Sequence, residues 1–262
     1  MKLPLYQVDA FAGEVFRGNP AAVCPLERWL EPALMQKIAA ENNLAETAFI
    51  VGHAGDYEIR WFTPTVEIDL CGHATLASAH VVFKHLEPGL RAVEFRTMTA
   101  GELYVRQQGD LLAMEFPSLP PVVVEQPPAQ LAEALGRAPR EVWKAKKWMA
   151  LFGDEEDVAT VAPDFRKLKA FEQGAGVIIT AAGHSSDFVS RFFAPGSGVD
   201  EDPVTGSAHC TLIPFWAQKL GKKQLFAKQI SARGGELWCE DRGPRVMMSG
   251  RIAEYLHGEI TV

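Results

Sequence analysis

Glu46 is the residue whose surroundings most clearly indicate acid/base chemistry. It is the only charged residue between positions 44 and 51, and in a strand it would share a face with Leu44, Ala48 and Ile50. Loss of water around a carboxylate raises its pKa and suits the group to accept and return a proton near neutral pH. A glutamate that faces water on an edge strand would show the same pattern, and the sequence leaves both interpretations open.

His73 follows Gly72 at a predicted helix start, in the segment Cys-Gly-His-Ala-Thr. The first backbone N–H groups of a helix have no partner within the helix and attract an anion, and the imidazole could donate a hydrogen bond as well. We therefore expect His73 to act on a substrate, and the backbone at Gly72 and Ala74 to contact it. A histidine that caps the helix or packs in the core is the alternative.

A second candidate site lies in Asp-Pro-Val-Thr-Gly-Ser-Ala, residues 202–208. Asp202 precedes a proline, which holds it extended, and Thr205, Gly206 and Ser207 offer hydroxyl and N–H groups at a predicted helix start. Such groups suit a carboxylate or an enolate-like oxygen. The alternative is a solvated acidic turn, with an ordinary cap for the helix. The segment is not a phosphate loop, because it lacks the terminal Gly-Lys-Ser/Thr.

Cys71 could in principle supply the thiolate base of a racemase. Thiol racemases need a second thiol on the opposite face of the substrate. The matching loop of the second half holds Asp202 and Ser207, and its nearest thiol, Cys210, falls inside the predicted helix. Cys71 is therefore predicted to be a small packed residue that lines the site.

The two halves of the chain repeat one order of residue types. In each half an aromatic strand reaches a proline, an acidic stretch follows, and a glycine begins a helix, once near Gly72 and once near Gly206. The first helix, residues 74–83, has small residues all round, which predicts that strands enclose it; the second covers residues 207–220. A cluster of prolines from Pro117 onward predicts a crossing between two domains, residues 1–117 and 118–262, with the last strand a candidate to return to the first domain. Duplication would place both helix starts at a cleft between the halves.

Composition narrows the class of protein. The 262 residues carry a net charge of −7, and 47% are hydrophobic. These values are ordinary for a globular protein and argue against a nucleic-acid or anionic-membrane surface. We expect no signal peptide and no membrane span. The four cysteines are far apart and form no CxxC pair, so their spacing indicates neither a zinc site nor a disulfide framework, and we expect a reducing cytoplasm.

Four segments resemble the phenazine-biosynthesis PhzF-like family, in the family's order: VDAFAGEVFRGNPAAV, AENNLAETAFI, FTPTVEIDLCGHATLASAH and FFAPGSGVDEDPVTGSAH. The resemblance implies the diaminopimelate epimerase-like fold. In this α/β (α+β) fold, two pseudo-symmetric domains each curl a mostly antiparallel sheet around a central helix, and the active site lies between them. The family's prototype isomerises a dihydro-hydroxyanthranilate by proton transfer, without a metal or an organic cofactor.

The resemblance also implies roles for individual residues. Glu46 would carry the proton between two carbons of a small carboxylate-bearing substrate, while His73, Asp202 and Ser207 would position its polar groups and assist tautomerisation. A homodimer is usual for the family. Two alternatives remain: a cysteine-dependent racemase or epimerase that uses Cys71, and a non-catalytic module that binds a small molecule or a protein.

Overall fold

The computed structural model describes residues 1–172 and 174–262. Its strands are β1 Lys2–Ala10, β2 Asn19–Leu26, β3 Glu46–His53, β4 Asp56–Phe62, β5 Glu67–Ile68, β6 Ala92–Arg96, β7 Glu102–Gln108, β8 Leu111–Pro117, β9 Val122–Val123, β10 Glu141–Lys144, β11 Trp148–Leu151, β12 Val177–Ala182, β13 Phe188–Ala194, β14 Val199–Asp202, β15 Gln224–Gln229, β16 Gly235–Asp241, β17 Arg245–Gly250 and β18 Ile252–Thr261. Its helices are α1 Pro32–Asn42, α2 Gly72–Val81, α3 Ala129–Leu135, α4 Glu155–Thr160, α5 Phe165–Glu172 and α6 Gly206–Leu220.

The chain divides into two compact units. The first unit comprises Met1–Glu115 and Ser249–Val262, and the second comprises Phe116–Met248. The C-terminal strand β18 belongs to the first unit, where it pairs antiparallel with β1. Within the described residues, no helix combines the length and the apolar character that crossing a bilayer requires.

The two units repeat one pattern of strand pairing. In the first unit β1–β2 is antiparallel, β2–β3 parallel, β3–β4 antiparallel, β4–β6 parallel and β6–β7 antiparallel. In the second unit β10–β11, β11–β12, β12–β13, β13–β15 and β15–β16 follow the same alternation. In each unit a short strand pairs antiparallel with the fourth of these strands and leads into a helix, α2 or α6. The predicted α/β class with two similar halves is confirmed.

Helix α2 is buried on nearly every side, as its small residues predict. It begins at Gly72, two residues before the predicted start, and its buried set runs from His73 to Val81 with one gap. Two buried hydroxyls satisfy their hydrogen bonds locally, because Thr75 Oγ1 donates to the Cys71 carbonyl at 2.6 Å and Ser78 Oγ donates to the Ala74 carbonyl at 2.8 Å. Small side chains therefore let strands pack closely around this helix without stranding a polar group.

The second unit confirms some sequence predictions and corrects others. Helix α6 ends where Gly221 adopts a left-handed backbone with φ of 66°. The alternative of an acidic turn before α6 is wrong, because the acidic residues 200–202 lie in strand β14, which pairs with β13. Their charge is tolerated there because Arg191 donates two hydrogen bonds to Glu201, at 2.7 and 2.9 Å. Helices α4 and α5 were not predicted from the sequence.

One carboxylate in the first unit is surrounded by three histidines and a lysine. Glu254 on β18 lies 3.3 Å from His80 Nε2, 3.1 Å from Lys84 Nζ, 2.7 Å from His85 Nε2 and 3.4 Å from His257 Nδ1. Partial burial would raise the pKa of Glu254, but hydrogen bonds and charges from His85 and Lys84 outweigh it and hold the pKa at about 2. The group therefore links β18 to the end of α2 and the turn that follows it.

Replacing Glu254 by Gln is expected to lower the free energy of unfolding at pH 7. The ordinary pKa of the group is 4.5 and the folded value is about 2, so its stabilising contribution is complete above pH 4.5 and is lost as the pH falls towards 2. Urea unfolding of both proteins at several pH values should show their difference shrinking with acidification. Glu259→Gln on the exposed part of β18 is the control, and a pH-independent difference for Glu254→Gln would contradict this explanation.

Candidate active site

Glu46 is the first residue of β3 and is largely buried. Strand β3 lies between β2 and β4, and Glu46 itself stands opposite Ala21 of β2. Its side chain is 16% exposed, and its Oε2 atom lies 3.0 Å from Nε2 of His73, whose side chain is 8% exposed. The alternative of a water-facing glutamate on an edge strand is therefore wrong.

The expected rise in the pKa of Glu46 is also wrong. Burial does raise it, but the charge of His73 and polar contacts from His73 and Cys71 outweigh burial, so the pKa lies below its usual value. The expectation rested on the apolar neighbours in the same strand, whereas the neighbour that decides the pKa, His73, lies at the start of α2. Glu46 is thus ionised at neutral pH and ready to accept a proton.

The opposite shift occurs at His73. Burial alone would lower its pKa, but the adjacent Cys71 side chain and Glu46 carboxylate hold the pKa well above the usual value. At neutral pH the pair is therefore a carboxylate beside an imidazolium. The carboxylate can take a proton from carbon, and the imidazolium can stabilise negative charge that develops on an oxygen of the substrate.

Cys71 completes this buried group as the residue before α2. Its Sγ atom lies 3.5 Å from Nδ1 of His73. Burial, followed by the charge of Glu46, raises the pKa of the thiol to about 11. The thiol therefore stays protonated at neutral pH, which suits the predicted packed residue better than a free thiolate base.

The second motif is organised around the start of α6. Thr205 Oγ1 donates a 2.5 Å hydrogen bond to Oδ2 of Asp202. Gly206 is the first residue of α6, and Ser207, next to it, is exposed. The predicted residues thus fall into two groups: Glu46, Cys71, Gly72, His73 and Ala74 meet in the first unit, and Asp202, Thr205, Gly206 and Ser207 meet in the second.

Sequence reasoning missed Gln229, which fixes the second motif. This fully buried residue ends β15, and its Oε1 atom accepts from the Thr205 backbone N–H at 2.9 Å. Its Nε2 atom donates to the Asp202 carbonyl at 2.7 Å and to Thr205 Oγ1 at 3.2 Å. One side-chain amide therefore holds both ends of the turn before α6. The only signal in the sequence is a polar residue at an inward position of a strand.

Lys147, between β10 and β11, was also missed. Its Nζ atom lies 5.6 Å from the ring centre of Phe192, and Phe192 stands opposite Asp202 in the β13–β14 pairing. Burial, together with the neighbouring charge of Lys146, lowers the pKa of Lys147, while Cys210 and Asp202 act in the opposite direction. A cationic group thus lies in the neighbourhood of the second motif.

The sequence profile of the family described as phenazine biosynthesis-like protein (PhzC-PhzF) matches residues 8–258. An uncharacterized isomerase of Pseudomonas aeruginosa is 52% identical over 260 residues, with 99% of each chain covered. The crystal structure of a PhzF-family protein from Enterococcus faecalis superposes with a TM-score of 0.96 and is 46% identical, with both chains covered completely.

A more distant solved structure extends the likeness in fold alone. The hydroxyproline epimerase of Agrobacterium vitis superposes with a TM-score of 0.61 at 10% identity, over 99% of this chain and 92% of the epimerase. The predicted epimerase-like architecture agrees with this finding. The profile match over residues 8–258 and the identity to the Pseudomonas isomerase establish the family and the class of enzyme. The chain therefore belongs to the PhzF family of phenazine biosynthesis-like proteins and is an isomerase of that family.

Proposed function

We propose that the chain is a cofactor-independent isomerase that moves a proton between two carbon atoms of a small carboxylate-bearing substrate, with Glu46 as the acid/base group. The observation that carries this proposal is the buried Glu46 carboxylate, whose Oε2 atom lies 3.0 Å from Nε2 of His73. A buried carboxylate and imidazolium in contact supply the base and the electrophile that carbon deprotonation requires.

The proposed step needs only one base. An oxygen of the Glu46 carboxylate takes the proton from a carbon, and the electron pair of the broken C–H bond enters an enolate-like π system. The imidazolium of His73 stabilises the negative charge on that system. The protonated Glu46 then returns the proton to a second carbon, so the product has the composition of the substrate and Glu46 is again ionised.

The second motif supports a substrate with a carboxylate. The exposed Ser207 hydroxyl and the backbone N–H groups at the start of α6 can hold an anion, and the Lys147 ammonium adds positive charge in the same unit. We assign Asp202 and Thr205 the positioning of substrate polar groups, on the family resemblance and on their mutual hydrogen bond.

Lys147→Ala is expected to raise KM for the dihydro-hydroxyanthranilate by roughly 10- to 100-fold and to change kcat much less, because it removes a charge-assisted contact of about 1.5–3 kcal/mol. Lys147→Arg should restore most of the affinity. Lys146→Ala, at the exposed neighbouring position, is the control. Steady-state kinetics on the four proteins test this role, and an unchanged KM for Lys147→Ala would contradict it.

A thiol-dependent racemase is the second candidate, because Cys71 Sγ lies 3.5 Å from His73 Nδ1. A pKa of about 11 for that thiol argues against it. Alkylation with iodoacetamide separates the two functions. If the protein were a racemase, iodoacetamide would inactivate it at a rate proportional to the fraction of Cys71 present as thiolate. Its Cys71→Ser variant would be inactive.

The overall proposal is tested by incubating chelator-treated protein with the dihydro-hydroxyanthranilate and a panel of small unsaturated or α-substituted carboxylates. Proton NMR together with mass spectrometry should reveal a product of unchanged mass. Activity that appears only after a metal or organic cofactor is added would contradict cofactor independence. Sedimentation of the same protein tests the homodimer that the family resemblance leads us to propose.

A further inference from the structure

The folded chain brings together three metal-ligating side chains, Glu46 from β3 and Cys71 and His73 from the start of α2. Glu46, Cys71 and His73 each offer one ligand atom, and these atoms lie within 4.8 Å of one another. The proposed reaction uses Glu46 and His73 and leaves Cys71 without a chemical role. We infer that the three residues form a binding site for a zinc-type divalent cation, and that an ion bound there takes Glu46 out of the reaction.

The separations of the ligand atoms are close to those of a bound ion. Zinc lies about 2.3 Å from sulfur and about 2.0–2.2 Å from nitrogen or oxygen, so tetrahedral ligands are separated by roughly 3.3–3.6 Å. Nε2 of His73 lies 3.0 Å from Oε2 of Glu46, and Sγ of Cys71 lies 4.0 Å from Nε2 and 3.5 Å from Nδ1 of the same ring. All three ligand atoms lie within 4.8 Å of one another, so binding an ion requires the imidazole ring and the carboxylate to rotate towards the sulfur.

The orientation of the Glu46 carboxylate also supports a metal site. Oε2 of Glu46 is buried without a well-directed hydrogen bond, although Nε2 of His73 lies 3.0 Å away. The oxygen therefore lies to one side of the direction in which the ring nitrogen would donate. Two ligands of one tetrahedral ion have this arrangement, because the lone pair of the nitrogen points at the ion rather than at the other ligand.

The surroundings hold the ligands in place and balance the charge. Cys71 and His73 are fixed at the start of α2, where Thr75 Oγ1 donates to the Cys71 carbonyl at 2.6 Å. A thiolate and a carboxylate together neutralise a divalent cation, which offsets the unfavourable effect of a helix N-terminus on positive charge.

The ligand chemistry selects the class of cation. A set of one thiolate, one imidazole and one carboxylate favours zinc and related transition metals over magnesium or calcium, which prefer oxygen ligands. Three protein ligands leave a fourth position for solvent or for a small anion. The effect on catalysis rests on the proposed function, whereas binding of the ion does not.

Cobalt(II) is the probe for the site, because a thiolate bound to cobalt gives a charge-transfer absorption in the near ultraviolet. Titration of the whole chain should give this band at one equivalent, and zinc should remove it. The band should persist in Cys239→Ala, which loses a buried thiol elsewhere, and should be absent in Cys71→Ala. Circular dichroism checks that each variant is folded.

Glu46→Gln keeps the thiol and the imidazole and gives a second test. Competition with a chromophoric chelator should show zinc affinity falling by more than the roughly 10- to 100-fold that loss of an outer hydrogen-bond partner costs. A wild-type protein without the cobalt band, or an identical band in Cys71→Ala, would overturn the site. These readouts need no substrate, so their failure would leave the isomerase proposal standing. Inhibition by zinc that a chelator reverses tests the catalytic consequence separately.

Discussion

Glu46→Gln is expected to lower kcat for the dihydro-hydroxyanthranilate by about 10²- to 10⁴-fold while the fold is retained. The amide has nearly the shape of the carboxylate but cannot accept a proton, so the loss should equal the contribution of a general base. KM should change little, because Glu46 is proposed to touch the reacting carbons and not the substrate carboxylate. Steady-state kinetics and circular dichroism of the two proteins test this expectation.

Glu41→Gln is the matched control for this substitution. Glu41 lies on α1, and its side chain is exposed. The same chemical change there should leave kcat unaltered. An active Glu46→Gln protein would show that another group moves the proton, and Cys71 would be the first residue to test.

His73→Gln is expected to have the second largest effect, a fall in kcat of about 10²-fold or more, because the charge that stabilises the developing anion is lost. A second consequence concerns the pH profile. His73 lowers the pKa of Glu46, so its removal should raise that pKa, and the acidic limb of kcat/KM should move to higher pH. A merely structural role for His73 would not shift this limb.

His53→Gln provides the control for the pH profile, since His53 is exposed at the end of β3. Its profile should match that of the wild type. Movement of the His73→Gln limb to lower pH would contradict the electrostatic coupling between His73 and Glu46 described above.

The residues that we propose for the site were singled out in the sequence because local pattern marks them. Glu46 is a single charge among apolar residues, and two glycines mark the starts of α2 and α6. The enclosed helix α2 followed from its small residues. Repetition of residue types between the halves predicted the repeated strand pairings. These features depend on residues close together in the chain, which a pattern can show.

The missed features depend on contacts between distant segments. The pKa of Glu46 is set by His73 of a different element, and the turn before α6 is fixed by Gln229 from β15. Strand β14 pairs with β13, where Arg191 donates a hydrogen bond to Glu201. Likewise, the cysteine spacing could not show that Cys71 lies beside Glu46 and His73, because Glu46 comes from a distant part of the chain. Such pairings arise only when the chain folds.

Exchange of carbon-bound protons in deuterium oxide would show directly whether Glu46 carries the proton. Wild type and Glu46→Gln would be incubated with the substrate, and proton NMR would follow the signals of the two carbons between which the proton moves. We expect wild type to form the isomer with deuterium entering at the receiving carbon, and Glu46→Gln to give neither product nor exchange. Exchange at an undiminished rate in the folded Glu46→Gln protein would contradict Glu46 as the group that carries the proton.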